Sequence, residues 1–250
     1  MSELVLRHDA ADVATLTLNR PEKLNALSVP VFRDLRRHVE DIAASFDRIS
    51  VVVLRGAGRC FSAGHDLADL LHGEDTPHPQ FQAQTIECLA NLPQPVIAAL
   101  HGVCYTGALE LALAADLLVA AESARFADTH AKWAVTPIWG LSQRLPRRIG
   151  IAKAREMMLT CKVYTGQQAA AMGLVNECVP DDQLDKTVAA MCADIQQNSS
   201  FVHRANKKLL SETDGMPLAA GLSHEIYRTA GVGPDMQARI DAFLSKPKRK

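Results

Sequence analysis

The stretch from Gly102 to Asp116 constrains this chain most, read together with Arg59 to Leu67 upstream. The later segment, Gly-Val-Cys-Tyr-Thr-Gly-Ala-Leu-Glu-Leu-Ala-Leu-Ala-Ala-Asp, puts a glycine-containing turn at the start of an apolar helix. A single carboxylate, Glu110, falls in the first turns of that helix. The earlier segment, Arg-Cys-Phe-Ser-Ala-Gly-His-Asp-Leu, is a tight turn after the strand-like run Val51-Val52-Val53-Leu54. Two backbone N–H groups from such turns can converge on one carbonyl oxygen and form an oxyanion hole. A helix N-terminus adds partial positive charge there. A lone carboxylate beside it is a candidate acid or base for chemistry next to a polarised carbonyl. Gly107 and Glu110 also have ordinary readings, as a turn glycine and as a helix-start carboxylate favoured by the dipole.

Periodicity places these turns in a larger pattern. Glu3–Arg7 and Val13–Leu18 read as paired strands joined by a turn at Asp9–Asp12. Phe32, Leu35, Val39, Ile42 and Phe46 have helical spacing behind Ser28, a candidate cap, and Pro30. Val51–Leu54, Val96–Leu100 and Leu117–Ala120 read as buried strands, separated by helices over Asp66–Leu71, Phe81–Asn91 and Ala108–Ala115. Gly73–Pro79 reads as a polar loop. Further on, Ile151–Thr160, Gln167–Met172 and Asp181–Gln197 read as helices and Leu174–Val179 as a strand. After Ser199 there are three helical segments and no strand. Alternation followed by a helical end predicts an α/β layered core over residues 1–198 and a C-terminal helical subdomain over 199–250. That end carries Phe201, Leu209, Leu210, Leu218, Leu222 and Ile226, more apolar surface than a solvated tail requires, so we expect it to pack between subunits.

Composition excludes some classes. With 250 residues, 48% of them hydrophobic, the chain can bury a large core. Its 27 basic and 28 acidic side chains nearly cancel, which argues against a nucleic-acid or membrane-surface protein. The basic end, Lys246-Pro247-Lys248-Arg249-Lys250, reads as a solvated tail. Six cysteines form no CxxC pair and nine histidines no HExxH pattern, so no metal site is expected. No apolar run approaches the ~20 residues that span a bilayer, and strand-like sequence starts almost at once, without a leader. A cytoplasmic protein with reduced cysteines is the expectation.

Four motifs in order then resemble the crotonase (enoyl-CoA hydratase/isomerase) superfamily over nearly the whole chain. Asn19-Arg20-Pro21-Glu22-Lys23-Leu24-Asn25-Ala26-Leu27 is similar to its opening signature. Phe61-Ser62-Ala63-Gly64-His65-Asp66-Leu67 resembles its first oxyanion turn, and Pro95 to Gly102 the strand entering the second. Thr165-Gly166-Gln167-Gln168-Ala169 and Gly173-Leu174-Val175-Asn176 resemble its later stretch. The resemblance implies a spiral of ββα turns, assembly as a homotrimer or homohexamer, an acyl-CoA thioester as substrate and no metal or other cofactor. It implies that the backbone N–H groups of His65 and Gly107 hold the thioester oxygen. It also implies CoA contacts from Lys23, Leu24, Ala26, Ala63, Asp66, Leu67 and Ala68, and that late basic residues such as Lys207 and Lys208 can reach CoA phosphates, although solvated lysines are the ordinary reading.

The departure from the family matters for the chemistry. Its hydratases use two glutamates. In an ungapped match the first falls on Glu110 and the second on His130, in Phe126-Ala127-Asp128-Thr129-His130. His130 is either a surface or hydrogen-bonded structural histidine, or a proton-transfer group whose ordinary pKa of roughly 6.5 suits neutral pH. Asp128 is a second candidate that regular strand or helix spacing would point elsewhere. Tyr105 and Trp139 are candidates for the acyl pocket, and core packing is the ordinary role of the tryptophan. The leading expectation is an enoyl-CoA hydratase-like enzyme. The alternatives are an enoyl-CoA isomerase, an acyl-CoA hydrolase or decarboxylase, and a non-catalytic acyl-CoA-binding relative.

Overall fold

Burial along β4 (Val96–Leu100) explains the layering. All five residues of this strand are buried, but its side chains alternate between two cores. Val96, Ala98 and Leu100 join one core, Ile97 and Ala99 the other, as the two-residue period of a strand covered on both faces requires. The computed structural model describes residues 3–245, and the basic end from Lys246 lies outside them. β4 shares a six-stranded sheet with β1 (Val5–Ala10), β2 (Val13–Leu18), β3 (Val51–Gly56), β6 (Leu117–Ala121) and β9 (Glu177–Val179). The strand order is β1-β2-β3-β4-β6-β9. β1 and β2 pair antiparallel, with Val5 opposite Leu18, across a tight turn at Ala11 and Asp12. All later neighbours in this sheet are parallel.

Parallel pairing requires crossovers, and helices supply them. α1 (Val29–Ala44) connects β2 to β3; α2 (Leu67–His72) and α3 (Phe81–Ala90) connect β3 to β4. α1 buries Val31, Phe32, Leu35, Val39 and Ile42 against the first core, at about 1.5–3 kcal/mol for each side chain removed from water. Ser28 occupies the N-cap position with extended backbone but makes no side-chain cap bond; Pro30 is tolerated in the first turn. Phe46 lies just beyond this helix.

A second sheet escaped the sequence reading. It has three strands, β5 (Val103–Tyr105), β7 (Arg125–Ala127) and β8 (Tyr164–Thr165), in the order β5-β7-β8. They are two or three residues long, too short for periodicity to register. Between them run α4 (Gly107–Ala112) and α5 (Leu141–Thr160), and α6 (Gly166–Ala171) follows β8. α5 starts ten residues before the expected Ile151, but Gly150 is non-helical at φ 75°, so the expected start coincides with a real break. The chain closes with α7 (Leu184–Gln196), α8 (Ser200–Thr213), α9 (Leu218–Arg228) and α10 (Met236–Leu244). α7 covers the second core through Leu184, Val188 and Cys192. None of the residues of α8, α9 and α10 is buried. This is a mixed α/β architecture with a helical C-terminal region. No described helix is long and apolar enough to cross a membrane.

Candidate active site

Two turns meet where the sheets adjoin. Leu27 donates its N–H to Gly64 O at 2.8 Å, and Asp66 donates to Leu27 O at 3.0 Å. This parallel bridge grips the chain on both sides of His65 and passes over the His65 N–H. Gly64 has φ +106°, and a Cβ there would lie 2.7 Å from Tyr105 O and 3.4 Å from Gly107 N. Only glycine lets the first turn approach the second this closely.

The second turn is held in strain. Thr106 has φ 53° and ψ −112°, a conformation rare for a β-branched residue. Three contacts fix it. Its N–H donates to Ala127 O at 2.9 Å, its hydroxyl meets that of Thr129, and the Thr129 N–H donates to Thr106 Oγ1 at 3.1 Å. Gly107 then opens α4, where the first N–H groups have no helical acceptor. Among the described residues neither the His65 N–H nor the Gly107 N–H has a protein acceptor. A Cβ on Gly107 would stand 3.4 Å from His65 N, so the two donors are neighbours.

Glu110 sits one turn into α4 and is 1% exposed. Its Oε1 accepts the N–H groups of Trp139 at 2.9 Å and Leu141 at 3.1 Å. Its Oε2 lies 3.5 Å from His130 Nε2. His130 Nδ1 is 2.6 Å from Asp128 Oδ1, which also accepts the His130 N–H at 3.1 Å. Glu110, His130 and Asp128 therefore form a row with the imidazole in the middle. Burial pulls the imidazole pKa down, but the bonds to Asp128 and Glu110 outweigh it and raise His130 to about 9. His130 is thus an imidazolium at neutral pH, whereas an ordinary imidazole would titrate near neutrality. The expectation that Asp128 points elsewhere fails: helical spacing would separate residues i and i+2, but strand spacing sets them on one face, and Asp128 faces His130 where β7 ends at Ala127 and a 3₁₀ turn begins at His130.

These groups border a cavity of about 930 Å³. His65, Gly107, Glu110 and His130 all line it. So do Lys23, Leu24, Ala26, Ala63, Asp66 and Leu67, and so do Tyr105 and Trp139. Ala68 does not: it is exposed at the start of α2, where its N–H donates to the Asp66 carboxylate at 3.0 Å. The other Asp66 oxygen pairs with Arg20 at 2.8 Å. Trp139 is both packed and part of the wall. It is 4% exposed, with its ring 4.9 Å from that of Phe32 and 4.7 Å from the His65 imidazole. Its edge covers Gly107, where a Cβ would meet Cζ3 at 2.6 Å.

The chain matches the sequence profile described as Enoyl-CoA hydratase/isomerase over residues 8–248. It belongs to the enoyl-CoA hydratase/isomerase family. A 1,2-epoxyphenylacetyl-CoA isomerase of Escherichia coli (strain K12) is 32% identical over 255 residues, covering 98% of this chain and 97% of that one. The "Probable enoyl-CoA hydratase 1, peroxisomal" of Arabidopsis thaliana is 34% identical over 86% of this chain and 80% of its own length. The crystal structure of an enoyl-CoA hydratase from Bacillus anthracis superposes with a TM-score of 0.90 at 31% identity, covering 99% and 98% of the two chains.

Within this family member, some wall residues carried no sequence signal. Glu74, in the loop after α2, lines the cavity and bonds His65 Nε2 at 2.5 Å. Lys132 and Trp133 enter from the one-turn 3₁₀ segment that begins at His130, and Thr136 from the irregular stretch after it. Such segments have no periodicity from which a facing could be read. Lys207 and Lys208 are not at this cavity. Lys207 is committed to Asp116 at 2.7 Å and Gln94 O at 2.9 Å, and Lys208 lies 3.7 Å from Glu212.

Proposed function

We propose that this chain is an enoyl-CoA hydratase-like enzyme that adds water across, or removes it from, the α,β double bond of an acyl-CoA thioester. One observation carries the reading: Glu110 Oε2 and His130 Nε2 face each other at 3.5 Å beside the His65 and Gly107 N–H groups, which have no protein acceptor among the described residues. The thioester oxygen sits between the N–H groups of His65 and Gly107. As the enolate forms, charge builds on that oxygen, and each donor lowers the barrier by ~3 kcal/mol. Glu110 Oε2 takes a proton from water while the water oxygen bonds to the β carbon. His130 Nε2–H gives its proton to the α carbon and the enolate electrons form the new C–H bond. Glu110 is then protonated and His130 neutral, and proton return across their contact resets the pair. Asp128 keeps the Nδ1 proton in place throughout. His130⁺ thus takes the role of the family's second carboxylate, with no metal or organic cofactor.

In this reading Lys23, Leu24, Ala26, Ala63, Asp66 and Leu67 hold the CoA portion, and Tyr105 and Trp139 border the acyl group. The exposed apolar residues of α8–α10 favour assembly as a trimer or a pair of trimers. An isomerase is the second reading, favoured by the isomerase name of the Escherichia coli relative and by the buried position of Glu110, which can carry one proton between two carbons. Incubation with a short enoyl-CoA in ¹⁸O-water separates them. Hydration gives a product heavier by one water that carries ¹⁸O. Isomerisation gives a product of unchanged mass without label. Absence of any labelled hydroxyacyl product across a panel of enoyl-CoA thioesters would remove the hydratase reading.

A further inference from the structure

One carboxylate in the cavity wall has no part in the chemistry above. Glu74 belongs to the loop between α2 and α3. Its Oε1 lies 2.5 Å from His65 Nε2, and its Oε2 accepts from Gln82 Nε2 at 2.7 Å. Gln82 is buried in the first turn of α3 and fixes the far side of the carboxylate. The His65 and Glu74 side chains keep 17% and 24% of their surface exposed, and both line the cavity. The wall beside them is apolar, built from Leu67, Leu70 and the ring of Trp139. The pair is not needed to aim the His65 N–H, because Leu27 already grips the backbone on both sides.

A plain hydrocarbon chain lying here would strip water from two polar groups and return nothing. A chain bearing a hydroxyl would replace that water with a hydrogen bond. Capacity for it exists. Each Glu74 oxygen uses one acceptor position on the protein, and among the described residues His65 Nδ1 has no hydrogen-bond partner. We infer that the His65–Glu74 pair is a recognition site for a hydroxyl on the acyl chain, beyond the carbons that react, and that it selects such thioesters over plain hydrocarbon ones. This inference rests on the acyl-CoA reading above and adds the class of acyl group to it.

The test uses unreactive saturated thioesters and the whole protein. Binding of octanoyl-CoA is compared by calorimetry with that of hydroxyoctanoyl-CoA isomers carrying the hydroxyl on carbons five to eight. The native protein should bind at least one isomer about tenfold tighter than octanoyl-CoA. Glu74→Leu should close that gap from both sides, weakening the hydroxylated ligand and tightening octanoyl-CoA. Glu74→Gln, which keeps hydrogen-bonding atoms, should retain part of the preference. A pair that only tethers the loop would make Glu74→Leu weaken all ligands equally, and that result would overturn the inference. Equal binding of all ligands by the native protein would overturn it without any variant. If the native protein binds no thioester, the acyl-CoA reading falls and this inference with it.

Discussion

Asp128→Asn tests the row of charges at its least expected member. In the native protein His130 Nδ1 donates to a carboxylate at 2.6 Å, and together with Glu110 this raises the imidazole pKa to about 9 against burial. The amide that replaces the carboxylate keeps its shape but removes its charge. A charge-assisted hydrogen bond to a buried group is worth ~1.5–3 kcal/mol, and one pKa unit corresponds to about 1.4 kcal/mol, so the pKa should drop by roughly one to two units. Since His130 must be protonated to act as an acid, the alkaline limb of kcat for hydration should lie near pH 9 in the native enzyme. In Asp128→Asn it should move down by that amount. Stability follows the same linkage. A folded pKa raised above the ordinary 6.5 contributes fully below pH 6.5 and is lost as pH rises through about 9, a total of about 3 kcal/mol. Urea midpoints of native and variant should therefore differ most near pH 6 and converge toward about pH 10. A native His130 resonance titrating near 6.5 by NMR, or an alkaline limb that Asp128→Asn leaves in place, would refute the argument.

Other expectations follow from neighbouring contacts. Glu110→Gln keeps an oxygen for the Trp139 and Leu141 N–H groups but loses the base; kcat should fall by roughly 10²–10⁴ while calorimetry shows thioester affinity nearly unchanged. Gly107→Ala puts a methyl group 2.6 Å from the Trp139 ring and 3.4 Å from His65 N, so steady-state assays should show a loss of at least about 10²-fold, and tryptophan fluorescence should report the displaced ring. Dialysis against EDTA should leave the rate unchanged. Light scattering at micromolar concentration should give the mass of a trimer or hexamer, and charged substitutions at Leu218 and Ile226, which are 79% and 65% exposed, should shift it toward monomer.

What the sequence made legible divides along a physical line. The strands β3, β4 and β6 and the helix α1 announced themselves because each buries a continuous or periodic set of apolar residues. The oxyanion turns were legible because glycine leaves a mark in sequence: close approach of two backbones demands it at Gly64, and the Trp139 ring lying over the turn demands it at Gly107. The second sheet left none, since β5, β7 and β8 have two or three residues each. The same gap hid the part of the site that decides the chemistry. His130 was located by the family pattern, but its charge state depends on Asp128, two residues away across a strand end. A helix would turn such a pair apart and a strand would leave both on one face; here the short link between β7 and the following turn brings them to one point. Glu74 lies in a loop with no periodicity at all, eight residues from Gln82 and nine from His65, and it meets both through side chains alone. In this fold the backbone donors are written into glycines and strands, whereas the groups that tune them are placed by short irregular segments. Substitutions in those segments, at Glu74 and Asp128, should therefore change acyl preference and pH dependence while leaving the oxyanion turns and the sheet unaltered.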